Sequence, residues 1–571
     1  MRPEEIDRAS EITPSLRWPL RGAFIKPPAM RAVADSYGQI GAFPVACMYG
    51  ELVRSSTHQG ELEVWGDTRV PQGKAPELEA GSTLDMLDSD NQIAGSDSTR
   101  IELHVQGELH ALGEAASQVL FRSVSGTRGG WYGIVGLDGG VIGSETASGF
   151  RNVTIEDAEY CIRDSAGTID YMFLDRVTLR NFDSMGLFLD NDGSQPAAVC
   201  SLQACTVDMR GPDGGPDLGT GIHIRSQGGY LVNASEIQIR GGSEGLYGLF
   251  LDVPEVSGGG AFIDSVYVDS LTAGTGVHVA DHSPELRGID AVACKWGIKL
   301  SGGGSPSLQK LGSNESDLQV CTTGLYVNDS TTVDVEDVNI TVPSGQTGLY
   351  TDDASGGSYA GLAIYGGQTG FMAWSTAAHT LRSSSITGFS EFGVKVASAG
   401  LVNLGTQSDH GNNNIHESGA VKYVSVKNRV YGLGDVMAEE NWWGADPPPG
   451  FMFSTSVDYL PAQDEEVPLA SNELAIELVP VRPALAFRPN PFHGGGTIEF
   501  AVPASKSVSL HLYDVQGRLV REFVSESPSP GTHRLAWNGQ DDQGRKVPGG
   551  LYFVRLRFDG KALNLKIVGL P

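Results

Sequence analysis

Along most of this chain, apolar and polar residues alternate over short runs, which is the period of a β-strand with one buried face. The runs recur. A Gly-apolar-x-apolar unit appears as GLFL from Gly186, GIHI from Gly221, GLFL from Gly248, GVHV from Gly276, GIKL from Gly297, GLYV from Gly324, GLYT from Gly348 and GVKV from Gly393, with a weaker member, GFMA, from Gly370. Gly186 to Gly393 is 207 residues in eight steps, a mean period of about 26. A repeat of that length with short β-runs and no amphipathic helical stretch predicts one coil of a parallel β-helix per repeat. Each coil pairs a first strand with a second, as RVTLRNF (Arg176 to Phe182) with GLFLD (Gly186 to Asp190). Alternation places Val177, Leu179, Leu187 and Leu189 inside and Thr178, Arg180 and Phe188 outside. About 14 coils at a spacing near 4.8 Å predict a solenoid on the order of 65–70 Å long.

Glycine supplies 75 of 571 residues without a Gly-x-y period, so tight turns between strands account for it and a collagen helix does not. A formal charge of -29 argues against nucleic acid and anionic membranes as partners. It favours solubility, and acidic surfaces can gather divalent cations. The six cysteines, Cys47, Cys161, Cys200, Cys205, Cys294 and Cys321, contain no Cys-x-x-Cys pair, which points to small buried residues rather than a zinc site, with Cys200 and Cys205 close enough in sequence to bridge one loop. No run of about 20 apolar residues marks a transmembrane segment. The first 20 residues lack the apolar core of a secretory signal peptide.

The strings LEAGSTL, ELHVQGELHALG and ASQVLFRSVSGTRGGWYGI stand in order from Leu78 to Ile134, and ENWWG ends at Gly444. In order and spacing they resemble the opening and closing coils of right-handed parallel β-helix proteins of the pectate-lyase-like superfamily. The resemblance implies an all-β solenoid over 60–445, with Trp442 and Trp443 closing the last apolar layer; the competing role for the two tryptophans is a sugar-stacking site. Residues 1–59 are expected to cap the other end, because an open solenoid end would expose unpaired strand edges, the alternative being that they continue a further domain. Residues 446–484, with DPPPG and QDEEVP, read as a Pro-rich acidic linker. Residues 485–571 show six strand-like runs: TIEFAV, SVSLHLYDV, RLVREFV, THRLAWNG, GLYFVRLRF and KALNLKIVGL. RPNPFHGGGTIEF, LYDVQGRLVRE, WNGQDDQGRKVPGGLYFVRL and the terminal KIVGLP resemble the C-terminal sorting domain of type IX secretion and the related Ig-like domain of flagellar hook-capping proteins. His493-Gly494 depart from the usual Asn-Pro. The resemblance implies a small Ig-like sandwich, secretion machinery as a partner, and a secreted or cell-surface bacterial protein exported across an outer membrane.

Stacked coils set equivalent residues in columns. One column is Phe188, His223, Phe250, His278, Lys299, Tyr326, Tyr350 and Lys395; beside it, at the residue just after the unit or one later, run Asp190, Arg225, Asp252, Asp281, Ser301, Asp329, Asp352 and Ala397. Rings beside carboxylates suit an extended glycan, through ring faces and hydroxyl hydrogen bonds. Phe188, Asp190, Phe250, Asp252, Tyr326, Tyr350 and Asp352 would form that face. The plainer reading is a solvated face with turn-forming aspartates. A polysaccharide lyase would need carboxylates holding Ca²⁺ and a basic residue to take a proton beside a uronate carboxylate, and Asp252, Asp281 and Lys299 are the candidates. Neither Gly-His-Gly nor Arg-Ile-Lys is present, as polygalacturonases of this fold would carry, and no Arg-x-Pro-x-x-Arg of pectate lyases. The expected function is therefore structural or adhesive, with a lyase or glycoside hydrolase as the alternative. His410 and His416 make no metal site by themselves. Asn412-Asn413-Asn414 suits a turn or a stacked asparagine ladder.

Overall fold

The computed structural model describes residues 21–22, 46–468 and 484–569, apart from 53–54, 56, 89, 91–94, 144–148, 165–168, 192–197, 211–218, 227–229, 253–260, 282, 313, 399–401, 418, 429–434, 489–495, 503–507, 527–530 and 559–560. Two compact units divide at Asn472–Glu473. The first is a parallel β-helix whose 43 strands form one continuous hydrogen-bonded sheet. Each coil contributes to three ladders. In one coil these are Tyr160–Asp164, Ile169–Asp175 and Thr178–Arg180, and the next coil opens at Met185–Asn191. Register partners along the first ladder lie from 21 residues apart (His278 to Lys299) to 35 apart (Phe188 to His223), because turn lengths vary while strand spacing does not.

Val177, Leu179, Leu187 and Leu189 are buried as the alternation predicts, and one apolar core runs from Leu52 to Val457. The repeated glycine has a steric cause. A Cβ on Gly186, Gly221, Gly248, Gly276 or Gly297 would stand 2.6 Å from the carbonyl oxygen of the glycine one coil further on. The column is therefore a line of close backbone approaches that admits no side chain. At Gly324 the added Cβ would also lie 2.3 Å from Ile340 Cγ2 and 2.9 Å from Gly348 O. Gly324→Val should cost about 2 kcal/mol by overpacking. Denaturant unfolding followed by circular dichroism checks this, with Thr332→Val on the exposed side of the same coil as the neutral control.

Both ends of the solenoid extend beyond the expected limits of 60 and 445. Ala46–Leu52 already pairs in parallel with Glu61–Val70, and Thr57–His58 pairs with Glu77–Glu79, so coils begin inside the segment expected to be a cap. The rest of residues 1–59, Arg21–Gly22 excepted, lies outside the described residues. At the other end, the first part of the expected linker is the cap. Val457–Asp458 pairs with Val436–Ala438, and Met452, Phe453 and Val457 belong to the solenoid core. Trp443 is fully buried, edge-on to Phe453 at 4.8 Å, and Phe453 stacks on Tyr459 at 4.0 Å. Prolines drew the linker reading, but Met452 and Phe453 supply the apolar lid that an open solenoid end requires, while Phe451 beside them is exposed. Trp443 thus closes the core and does not face a sugar.

Buried polar ladders sit inside the coils. Asn413 donates to the carbonyls of Leu381 and Leu404 and to Asn441 Oδ1, and accepts from the Ser384 N–H. The asparagine run is both turn and ladder, with Asn412 at φ 51. Cys161, Cys200, Cys205, Cys294 and Cys321 are buried free thiols, so Cys200 and Cys205 do not bridge.

The second unit is a pair of antiparallel sheets. Ala484–Arg488, Gly496–Val502 and Gly531–Trp537 form one; Leu519–Glu526, Val508–Asp514, Gly550–Phe558 and Lys561–Gly569 form the other. All six expected strands are present, and Ala484–Arg488 is an addition. Phe500, Leu510, Leu512, Trp537 and Val554 fill the core. Two turns repeat the sequence Asp-x-Gln-Gly-Arg: Asp514 and Asp541 each accept backbone N–H groups and the Nε of the arginine four residues on.

Candidate functional site

The outward column of the first ladder assembles as the repeat implies. Phe188, His223, Phe250, His278, Lys299, Tyr326, Tyr350, Met372 and Lys395 are successive register partners. Arg163 continues the column on the side of Phe188, and the guanidinium lies 4.9 Å from the Tyr160 ring. The rings stack on one another. His223 and Phe250 are 4.4 Å apart at 14°, Phe250 and His278 4.6 Å apart at 5°, and Tyr326 and Tyr350 5.2 Å apart at 18°. Lys299 Nζ sits 5.6 Å from the Trp296 ring and 5.8 Å from Tyr326.

This stacking decides what the column can offer. Strands near 4.8 Å apart match ring-stacking distance, so each ring covers its neighbours' faces. What reaches solvent is edges and hydroxyls. Burial, then the nearby Arg225, holds His223 down to about 4; burial, then Lys299, holds His278 down to about 3. Both imidazoles are therefore neutral rings at physiological pH. His278 Nε2 bonds Ser301 Oγ at 2.9 Å. Tyr350 donates to Asp352 Oδ2 at 3.1 Å, and burial first, then that bond, pushes the phenol up to about 12.

The neighbouring acidic column is less regular than the sequence implies. Asp190, Arg225 and Asp252 are in register, but the next position is Ala280, not Asp281. Asp281 lies one residue on, in the left-handed region at φ 54. Arg225 forks onto both oxygens of Asp190 at 2.9 and 2.6 Å, so Asp190 is committed within the protein. Asp252 is raised from the usual carboxylate range by burial first and then by the charge of Asp281. No hydrogen bond or ion pair among the described residues joins Lys299 to Asp252 or Asp281. Among those residues no three His, Cys, Asp or Glu side chains are grouped to hold a metal ion.

Two features carry charge that the sequence reading missed. The first is an alternating ladder on the third strands. Asp85 faces Arg122, Glu156 faces Arg180, Arg180 faces Asp208, Asp208 faces Arg240, and Arg240 faces Asp269. Phe121 and Ile155 are partners, so Arg122 and Glu156 link the two halves. Its signal in the sequence is a charged residue directly after a buried apolar one, as in Leu84-Asp85, Phe121-Arg122, Ile155-Glu156, Leu179-Arg180 and Val207-Asp208. The second is a buried group in the opening coils. Asp67 is fully buried, accepts the Glu102 N–H at 2.8 Å, and leaves Oδ2 without a partner among the described residues. Glu102, also fully buried, accepts the Ser96 and Asp97 N–H groups and contacts the His104 ring. Burial, then the charge of Asp90, pushes Asp67 up to about 9.

A carboxyl raised in the fold favours the folded state most below its unfolded value, near 4, and loses that contribution as pH rises through 9. Asp67→Asn should therefore melt higher than the parent at pH 8 and no higher at pH 4. Thermal melts across that range check this.

Comparison with known proteins bears on the second unit. Residues 490–559 match the FlgD Ig-like domain. No curated protein matches the chain. A similar solved chain comes from work on PorZ, an essential bacterial surface component of the type-IX secretion system of Porphyromonas gingivalis. It is 21% identical over 18% of this chain and 13% of that one, with a TM-score of 0.13, so it carries no argument about the solenoid. No helix among the described residues is long and apolar enough to cross a membrane.

Proposed function

We propose that this chain is a secreted or cell-surface β-helix protein with a structural and adhesive role, carried to its place by the C-terminal Ig-like domain. The observation that carries the reading is the dispersal of its chemistry. An enzyme gathers perturbed carboxylates and a base in one cleft. Here the carboxylates raised by burial, among them Asp67, Asp157, Asp252 and Asp290, stand on different coils and faces. The aromatic column spends its ring faces on itself, which stiffens the solenoid. The match at 490–559 supports export or anchoring as the role of the second unit.

Two experiments test this. In a producing bacterium with a type IX system, the full chain should be protease-accessible on intact cells, and a chain ending at residue 484 should stay inside. Equal surface display of both would overturn the assigned role of the Ig-like domain. Incubation with uronate polysaccharides, with and without Ca²⁺, should give no unsaturated product; ultraviolet absorbance from such product would establish a lyase and direct mutation to Asp252, Asp281 and Lys299.

A further inference from the structure

Between the charged ladder and the turns that follow the third strands lies a cleft of about 590 Å³. It spans four successive coils, marked by Arg122, Glu156, Arg180 and Asp208. Three inter-coil steps make it about 14 Å long. It is separate from the aromatic column, which runs along the first strands.

The lining is charged but balanced. Arg122 binds Asp85 through Nε at 2.7 Å, Arg180 binds Glu156 through Nε at 2.5 Å, and Arg210 forks onto Asp208 at 2.8 Å. Each guanidinium is already neutralised by a carboxylate, so the cleft has no net positive charge with which to hold an anion. What remains are planar polar edges. The terminal nitrogens of Arg122 and Arg180 make no bond among the described residues. On the floor, Asn181 is 7% exposed; its Nδ2 donates to Asp157 Oδ1 at 2.5 Å, while its Oδ1 has no partner among the described residues. Val124, 56% exposed, is the single apolar side chain in the lining among the described residues.

Paired N–H donors set beside carboxylate and amide acceptors match vicinal hydroxyls, each of which donates and accepts. One apolar side chain suits the C–H side of a pyranose. We infer that this cleft is a binding site for a neutral sugar unit with vicinal hydroxyls, held by Arg122, Arg180, Glu156 and Asp208 over the Asn181 amide. This names a ligand class for the adhesive reading and rests on that reading for its biological role, though not for the binding itself.

The test titrates the full chain with methyl α-mannoside, methyl β-glucoside, glucuronate and inorganic phosphate, read by calorimetry and ligand-observed NMR. At least one neutral glycoside should bind with millimolar affinity, unchanged between low and high salt, because no net charge drives it. The double variant Arg122→Gln/Arg210→Gln alters two partly exposed rim side chains. It should lose tenfold or more in affinity with its melting curve unchanged. Val124→Asp, at an exposed rim position, should weaken binding without unfolding, and Phe250→Ala on the aromatic column should leave it intact. Absence of glycoside binding, full affinity in the double variant, or tighter, salt-sensitive binding of glucuronate or phosphate would each overturn the inference. Sugar binding by a chain that never reaches the cell surface would sink the localisation and leave the site standing.

Discussion

Trp443→Ala should open the C-terminal end of the solenoid. The indole is fully buried, stacked 6.3 Å from Tyr423 and edge-on to Phe453 at 4.8 Å. Removing a buried Trp typically costs about 3–5 kcal/mol, part of it for the cavity left behind. In a solenoid each coil leans only on its neighbours, so the loss is local before it is global. Hydrogen exchange should show lost protection in Lys422–Asn428 and Val436–Ala438, while Tyr247–Asp252 keeps its own. Glycan retention by the remaining coils should be unchanged. Lost retention with an intact end would return Trp443 to the role of a sugar platform.

Phe250→Ala should destabilise the middle coils without creating or abolishing a ligand site. Phe250 lies between His223 at 4.4 Å and His278 at 4.6 Å. With Tyr247 at 4.8 Å there are three ring contacts; at about 1 kcal/mol each, with a further contribution of about 1 kcal/mol from partial burial, they give about 4 kcal/mol. The two imidazoles each lose their nearest ring, keeping only Phe188 and Tyr247 at 5.4 Å, so they gain solvent and should titrate closer to the ordinary histidine range. NMR titration of their Cε1–H signals reads this directly. If the variant melts like the parent, the stack is decoration; if it also loses binding to an extended glycan, the column is a site after all.

The extent to which the site could be read in advance depends on which residues are considered. Phe188, His223, Phe250 and Tyr326 were placed in one column by the glycine repeat alone, because strand register copies sequence register once the period is known. Their mutual stacking was not visible, since it depends on rings turning along the solenoid axis. Asp281 stands one residue past the register position, in the left-handed region, and spacing does not reveal how far that turn carries its carboxylate from the column. The ladder from Asp85 to Asp269 was missed because its members sit on the third strands, which carry no glycine marker. The cleft beside it requires four coils to coincide, as does the pairing that neutralises its arginines.

The sequence by itself determined that the first unit is a β-helix and which residues face its core, because strand alternation and a steric need for glycine are local properties that recur from coil to coil; the Ig-like character of the second unit was legible only as a resemblance carried by its motifs. Only the tertiary structure decided where the solenoid ends, that the aromatic faces are spent on one another, and that balanced charges frame a cleft. Those outcomes arise from neighbours 20 to 35 residues apart coming within side-chain reach, and loop lengths that differ from coil to coil hide that proximity from any reading along the chain.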